Sequence, residues 1–116
     1  MGESGAAVMA SRPAAVLCIG EALVDVVHQA GAVNEHVGGS LLNVACGTAR
    51  LDHETHLATW IADDERGMRI RETVQAAGVQ LVDGSIGAAH TPIALAHVDD
   101  GGRATYEFDL EWRTPD

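Results

Sequence analysis

Two bare glycines, a hydroxyl and an amide stand together in the stretch Val37–Leu51, VGGSLLNVACGTARL. Neither Gly38 nor Gly39 has a Cβ, so the chain can turn sharply there and a bound molecule can come close to the backbone. Ser40 is placed to cap a helix whose apolar positions recur at Leu41, Leu42, Val44, Ala45 and Leu51. That helix would begin with free N–H groups and partial positive charge facing whatever the glycines admit. Asn43 falls in its first turn, with an amide that both donates and accepts hydrogen bonds. The combination suits a polyhydroxylated ligand. Taken alone, it is equally an ordinary loop-to-helix junction.

Other polar residues are candidates of a different kind. Asp25 interrupts the apolar run Ala22–Val27, where a carboxylate must face solvent on an edge strand or find hydrogen bonds. Asp63, Asp64 and Glu65 precede a helical pattern, and acids there complement the helix dipole without any catalysis. His53 and His56 make an H-x-x-H pair, but they span a turn into a strand and no further ligand is spaced to join them in a zinc site. Cys18 and Cys46 both sit in apolar segments and read as buried free thiols of a reducing compartment, the cytoplasm.

The elements that must position these residues alternate. Val16–Ile19 reads as a buried strand and Ala22–Val27 as further extended structure. His28–His36 is polar and reads as a turn or short hairpin connection. After the central helix, Thr55–Ala62 reads as a strand, residues 67–77 as a helix with Met68, Ile70, Val74 and Ala77 at helical intervals, Gly78 as its C′ residue, and Val79–Val82 as a strand. Two successive strand–helix–strand passages predict a doubly wound parallel sheet. Then the pattern changes. Thr91–Val98 and Arg103–Leu110 flank Asp99-Asp100-Gly101-Gly102, a hairpin turn. In the second arm Ala104, Tyr106, Phe108 and Leu110 alternate with polar residues, which predicts a small antiparallel element covered on one face.

Composition narrows the classes. A chain of 116 residues, 47% hydrophobic and 21% charged, can fold as one globular domain. Its net charge of −10, with no lysine, argues against a nucleic-acid partner. No apolar run is long enough to span a bilayer. Residues 1–14 read as a disordered tail without signal-peptide character, which leaves 15–116 as the folded part.

Four segments, in order and spacing, resemble the amino-terminal portion of the ribokinase-like (PfkB) carbohydrate kinase family. They are IGEALVD (Ile19–Asp25), the Gly-Gly pair with Asn four residues after its second glycine, DDERG (Asp63–Gly67), and TPIALAHVDDGGRATYEF (Thr91–Phe108). The resemblance covers roughly Val16–Leu110. It implies an α/β, doubly wound ribokinase-like fold with a small antiparallel lid, the chain stopping after the lid. It also implies that Asp25 accepts hydrogen bonds from sugar hydroxyls, with Gly38, Gly39 and Asn43 beside it. Arg103 matches a Gly-x-Arg of the family's lid, but it reads as a solvated strand charge.

What the resemblance implies for function is ATP-dependent phosphorylation of a sugar hydroxyl by the full-length kinase, with ATP and Mg2+ required and this chain supplying the sugar-binding half. The ending TYEFDLEWRTPD looks fructokinase-like, so fructose or a related ketose or acid sugar leads, with ribose and nucleosides open. The family's catalytic base and anion hole lie in a Gly-Ala-Gly-Asp segment that does not occur here, so no catalytic residue is assigned and this chain alone is expected to be inactive. A homodimer through the lid strands is the assembly the family suggests. With later strands missing, the apolar edge and face they cover would leave the isolated chain prone to aggregate. The alternative is a non-catalytic sugar- or nucleoside-binding module. A dinucleotide domain is disfavoured, since no G-x-G-x-x-G follows the first strand.

Overall fold

The computed structural model describes residues 15–110; the tail expected at 1–14, and Trp112 with the end of the chain, lie outside the described residues. Nine elements form two sheets and two helices. A parallel sheet has the order β1 (Val16–Ile19), β4 (Thr55–Ala58), β5 (Val79–Leu81), joined by α1 (Ser40–Arg50) and α2 (Glu65–Ala76). A second sheet has the order β3 (Ala32–Gly38), β2 (Leu23–Gln29), β6 (Ile93–Val98), β7 (Ala104–Asp109). Its outer pairs are antiparallel and its central pair, β2 with β6, is parallel.

The α/β architecture follows from the alternation of elements. Both crossovers of the parallel sheet step in one direction, and right-handed connections therefore put both helices on one face. Cys18, Leu57 and Val79 turn inward with Leu42, Ala45, Ile70 and Val74 of the helices into one buried cluster. Both cysteines are buried free thiols, and burial pushes the Cys46 thiol up against a small opposing effect of Arg50. The opposite face of β1 is open, with Leu17 59% and Ile19 49% exposed. Val24 and Val26 of β2 join the same core, and β2 and β3 pack against α2, so the second sheet shares the interior of the first.

Several element limits differ from the sequence expectation. The polar stretch His28–His36 is no loop: it completes β2 and forms most of β3, and the chain reverses at Ala30 (φ 53°) and Gly31 (φ 77°), the pair of positive φ angles a tight hairpin turn needs. The strand expected over Thr55–Ala62 ends at Ala58, because hydroxyls then replace the ladder. Thr59 N–H donates to Ser85 Oγ, Ala62 N–H to Thr91 Oγ1, and Thr59 Oγ1 itself accepts from Ala22 N–H. The second helix begins two residues earlier than its apolar pattern suggests because Asp64 caps it, accepting the Gly67 N–H at 2.8 Å. Gly78 follows it at φ 90°, in the C′ role expected. The apolar face of β7 is not covered: all six of its residues are exposed, Tyr106 to 63% and Phe108 to 64%. Their rings stack at 6.5 Å.

Candidate functional site

The junction from β3 into α1 is built on glycines for reasons the structure makes specific. A Cβ at Gly38 would lie 2.6 Å from Asp25 Oδ2. A Cβ at Gly39 would collide with the Glu21 carbonyl oxygen, and Gly39 also holds φ 113°, a conformation side chains rarely adopt. Ser40 is not the helix cap. Gly39 occupies that position, with no side-chain cap, and Ser40 is the first helical residue. The expected free N–H groups at the start of α1 are therefore present without a capping hydroxyl. Asn43 N–H closes the first turn onto Gly39 O at 3.0 Å, and the residue itself is exposed.

Strand register brings the second half of the site together. Asp25 stands opposite His36 on β3 and Ala94 on β6, and Ala94 stands opposite Phe108 on β7. Residues in register share a face, so one row across the lid carries Asp25, Ala94 and Phe108. This row and the start of α1 enclose a cavity of about 420 Å³, lined by Glu21, Asp25, Gly39, Ser40 and Asn43 on its polar side and by Leu23, Leu41, Ala94 and Phe108. Asp25, Gly39 and Asn43 thus converge. Gly38 is buried and does not line this cavity, its bare Cα making room for the Asp25 carboxylate. Among the described residues, no hydrogen bond or ion pair engages the side chain of Asp25 or Asn43.

Glu21 and Phe108 were not singled out from sequence. Phe108 reads there as one apolar position of a strand, and only the β2–β6–β7 register shows that it faces Asp25. The cavity holds two carboxylates, a hydroxyl and an amide, and no Arg, Lys or His lines it. Carboxylates only accept hydrogen bonds, so such a cavity takes groups that donate, as hydroxyls do.

The Asp63–Gly67 segment does more than complement a dipole. Asp64 Oδ1 accepts from the Thr91 hydroxyl at 2.5 Å and its Oδ2 from Thr91 N–H at 3.0 Å, besides capping α2. Burial pushes the Asp64 carboxyl up, but these bonds from Thr91 and Gly67, with the Arg66 charge, outweigh it and hold the group below the ordinary carboxylate range. A Cβ at Gly67 would collide with the Ala62 carbonyl oxygen. His53 and His56 do not form a pair: His56 Nε2 lies 2.9 Å from Glu54 Oε2. Among the described residues, no group of three or more His, Cys, Asp or Glu could hold a metal ion, and no helix is long and apolar enough to cross a membrane. Arg103 is exposed beside the hairpin turn, where Asp99 Oδ1 accepts the N–H groups of Gly101 and Arg103.

Comparison with known proteins converges on one family. The profile of the pfkB family carbohydrate kinases matches residues 13–111. The chain is 34% identical over 98 residues to a fructokinase of Rhizobium leguminosarum bv. trifolii, covering 80% of this chain and 30% of that protein. Among solved structures it superposes on fructokinase from Xylella fastidiosa with a TM-score of 0.70 and 29% identity, over 81% of this chain and 33% of the other. The same Xylella enzyme with bound ATP matches with a TM-score of 0.70 and 27% identity, over 81% and 32%. The chain therefore spans about a third of the length of these relatives. With the family profile matched across nearly all of its length, this chain belongs to the PfkB family of carbohydrate kinases.

Proposed function

We propose that this chain is the sugar-holding part of an ATP-dependent carbohydrate kinase that phosphorylates a hydroxyl of a neutral, fructose-like sugar. The observation that carries the reading is the convergence of Asp25, from strand β2, and Asn43, from helix α1, on one cavity that Gly39 also lines. In this reading Asp25 accepts hydrogen bonds from sugar hydroxyls, Asn43 donates and accepts beside it, the bare backbone at Gly39 lets the ring come close, and Gly38 leaves room for the Asp25 carboxylate. The lid row of Ala94 and Phe108 keeps water from the hydroxyl that is to receive the phosphoryl group. Two carboxylates without a cation in the lining favour a neutral sugar over an acid sugar.

ATP as donor is supported by the bound ATP of the Xylella fructokinase. Mg2+ would neutralise charge on the transferring phosphates; among the described residues no group of three or more His, Cys, Asp or Glu is placed to hold it. What this chain contributes is acceptor positioning. The charge stabilisation that phosphoryl transfer needs belongs to residues of the whole enzyme beyond those described. We place that enzyme in the cytoplasm, with its two buried thiols reduced, and we assign the exposed Tyr106–Phe108 face to contact with a second copy.

Calorimetry with D-fructose on the full-length kinase tests the site. Hydrogen bonds to a charged group are worth roughly 1.5–3 kcal/mol, so Asp25→Ala should weaken binding about 10- to 150-fold, and Asn43→Ala by a smaller factor. Unchanged affinity in both variants would refute the assignment. Binding of D-fructose by an enzyme that never transfers a phosphoryl group would instead favour the non-catalytic module.

A further inference from the structure

Glu35 lies on β3, outside the cavity, and receives three charge-assisted hydrogen bonds. Arg66 forks onto it, Nε to Oε1 at 3.0 Å and Nη2 to Oε2 at 2.9 Å, and Arg69 Nη2 reaches Oε1 at 2.6 Å. The two arginines are three residues apart on α2 and so share a helix face. Bidentate pairing of this kind fixes direction as well as distance, and the carboxylate is only 23% exposed. Hydrogen bonds from Arg66 and then Arg69 hold the Glu35 carboxyl down at about 2 against a smaller upward push from burial. Arg66 is correspondingly raised, chiefly by its hydrogen bond to Glu35.

The place of this clasp matters more than its strength. Asp64, at the same end of α2, grips Thr91 two residues before β6. Thus β3 and β6, the two strands that flank β2, are both fastened to the start of α2. The strand between them carries Asp25. Its partner across the cavity, Asn43, stands on α1, which belongs to the parallel sheet.

We propose that Glu35 is a positioning residue for the polyol site: by clasping Arg66 and Arg69 it sets the tilt of the lid sheet against α2, and with it the separation of Asp25 from Asn43. This rests on the sugar-binding reading of the cavity. Loosening the clasp leaves both hydrogen-bonding groups in place but lets the strand that carries one of them swing relative to the helix that carries the other.

The test combines amide hydrogen exchange with D-fructose calorimetry on the full-length kinase, native and as Glu35→Gln, Glu35→Asp and Arg69→Gln. Glu35→Gln should speed exchange in β2, β3 and β6 while α1 and β4 keep native protection, and D-fructose affinity should fall roughly 2- to 30-fold. Glu35→Asp, which keeps the charge, should recover part of both. Arg69→Gln leaves the Arg66 fork intact and gives the same readouts if Glu35→Gln does not fold. Native affinity in Glu35→Gln, unchanged exchange in the lid strands, or protection lost equally from α1 and β4 overturns the proposal alone. A full-length kinase, native at Glu35, that takes up no D-fructose overturns the sugar-site reading and the proposal with it.

Discussion

Replacing Glu35 by glutamine makes a stability difference that depends on pH in a defined direction. The carboxyl titrates at about 2 in the folded chain against an ordinary 4.5. At about 1.4 kcal/mol per pH unit, that drop corresponds to about 3.5 kcal/mol at most. Arg66 and Arg69 are 38% and 40% exposed, so solvent screening reduces the expected effect to about 1–2 kcal/mol. A depressed acid contributes its full stability above the unfolded value and loses it as pH falls through the folded one. Urea unfolding of the native chain and Glu35→Gln should therefore differ by about 1–2 kcal/mol at pH 7, and the gap should begin to close below about pH 4.5. Near pH 2 the native carboxyl is half protonated, and most of the gap is gone. Asp64, also depressed, is present in both proteins and cancels in the difference. A gap of the same size at both pH values would show that the glutamate acts through packing or shape and not through its charge on the two arginines.

Other substitutions separate the roles of neighbouring residues. Gly39→Ala should destabilise by at least about 2 kcal/mol in urea unfolding, because the backbone holds φ 113° and the new methyl meets the Glu21 carbonyl. Gly38→Ala meets only the end of the Asp25 side chain, so it should cost less stability and appear instead as weaker D-fructose binding. Asp64→Ala removes a helix cap and the anchor of Thr91 together and should cost about 1–2 kcal/mol, while Asp63→Ala, whose nearest cation is 3.9 Å away at Arg71, should change little. Tyr106→Ser with Phe108→Ser should leave the unfolding midpoint nearly unchanged and shift sedimentation toward smaller species. A large loss of stability there would mean that the ring stack supports the lid itself.

What could be read from the sequence depended on burial. β1 and α1 bury a face, so their apolar spacing marked them and their limits closely. β3 has six of its seven residues exposed or only half-buried, and nothing in AVNEHVG signals a strand; it is one because β2 beside it offers a complementary edge. The shortened β4 is a case of chemistry overriding pattern, since the hydroxyls of Thr59, Ser85 and Thr91 satisfy backbone groups that propensity would have given to a ladder. Asp25, Gly39 and Asn43 could be named in advance because the family spacing singles them out. Phe108 reaches the same cavity through strand register, and Glu35 reaches Arg66 and Arg69 across 31 and 34 residues, separations at which no local periodicity exists.

The parallel pairing of β2 with β6 has a consequence for how the chain is assembled. Val24 meets Ile93 in that ladder, and the intervening residues include both helices and the strands β4 and β5 of the parallel sheet. Closing so large a loop is entropically costly until those elements have collapsed. The strand–helix–strand passages are therefore the part that can form first, from contacts close in sequence. The hollow beside Asn43 comes into being only at the end of folding, when the last hairpin docks.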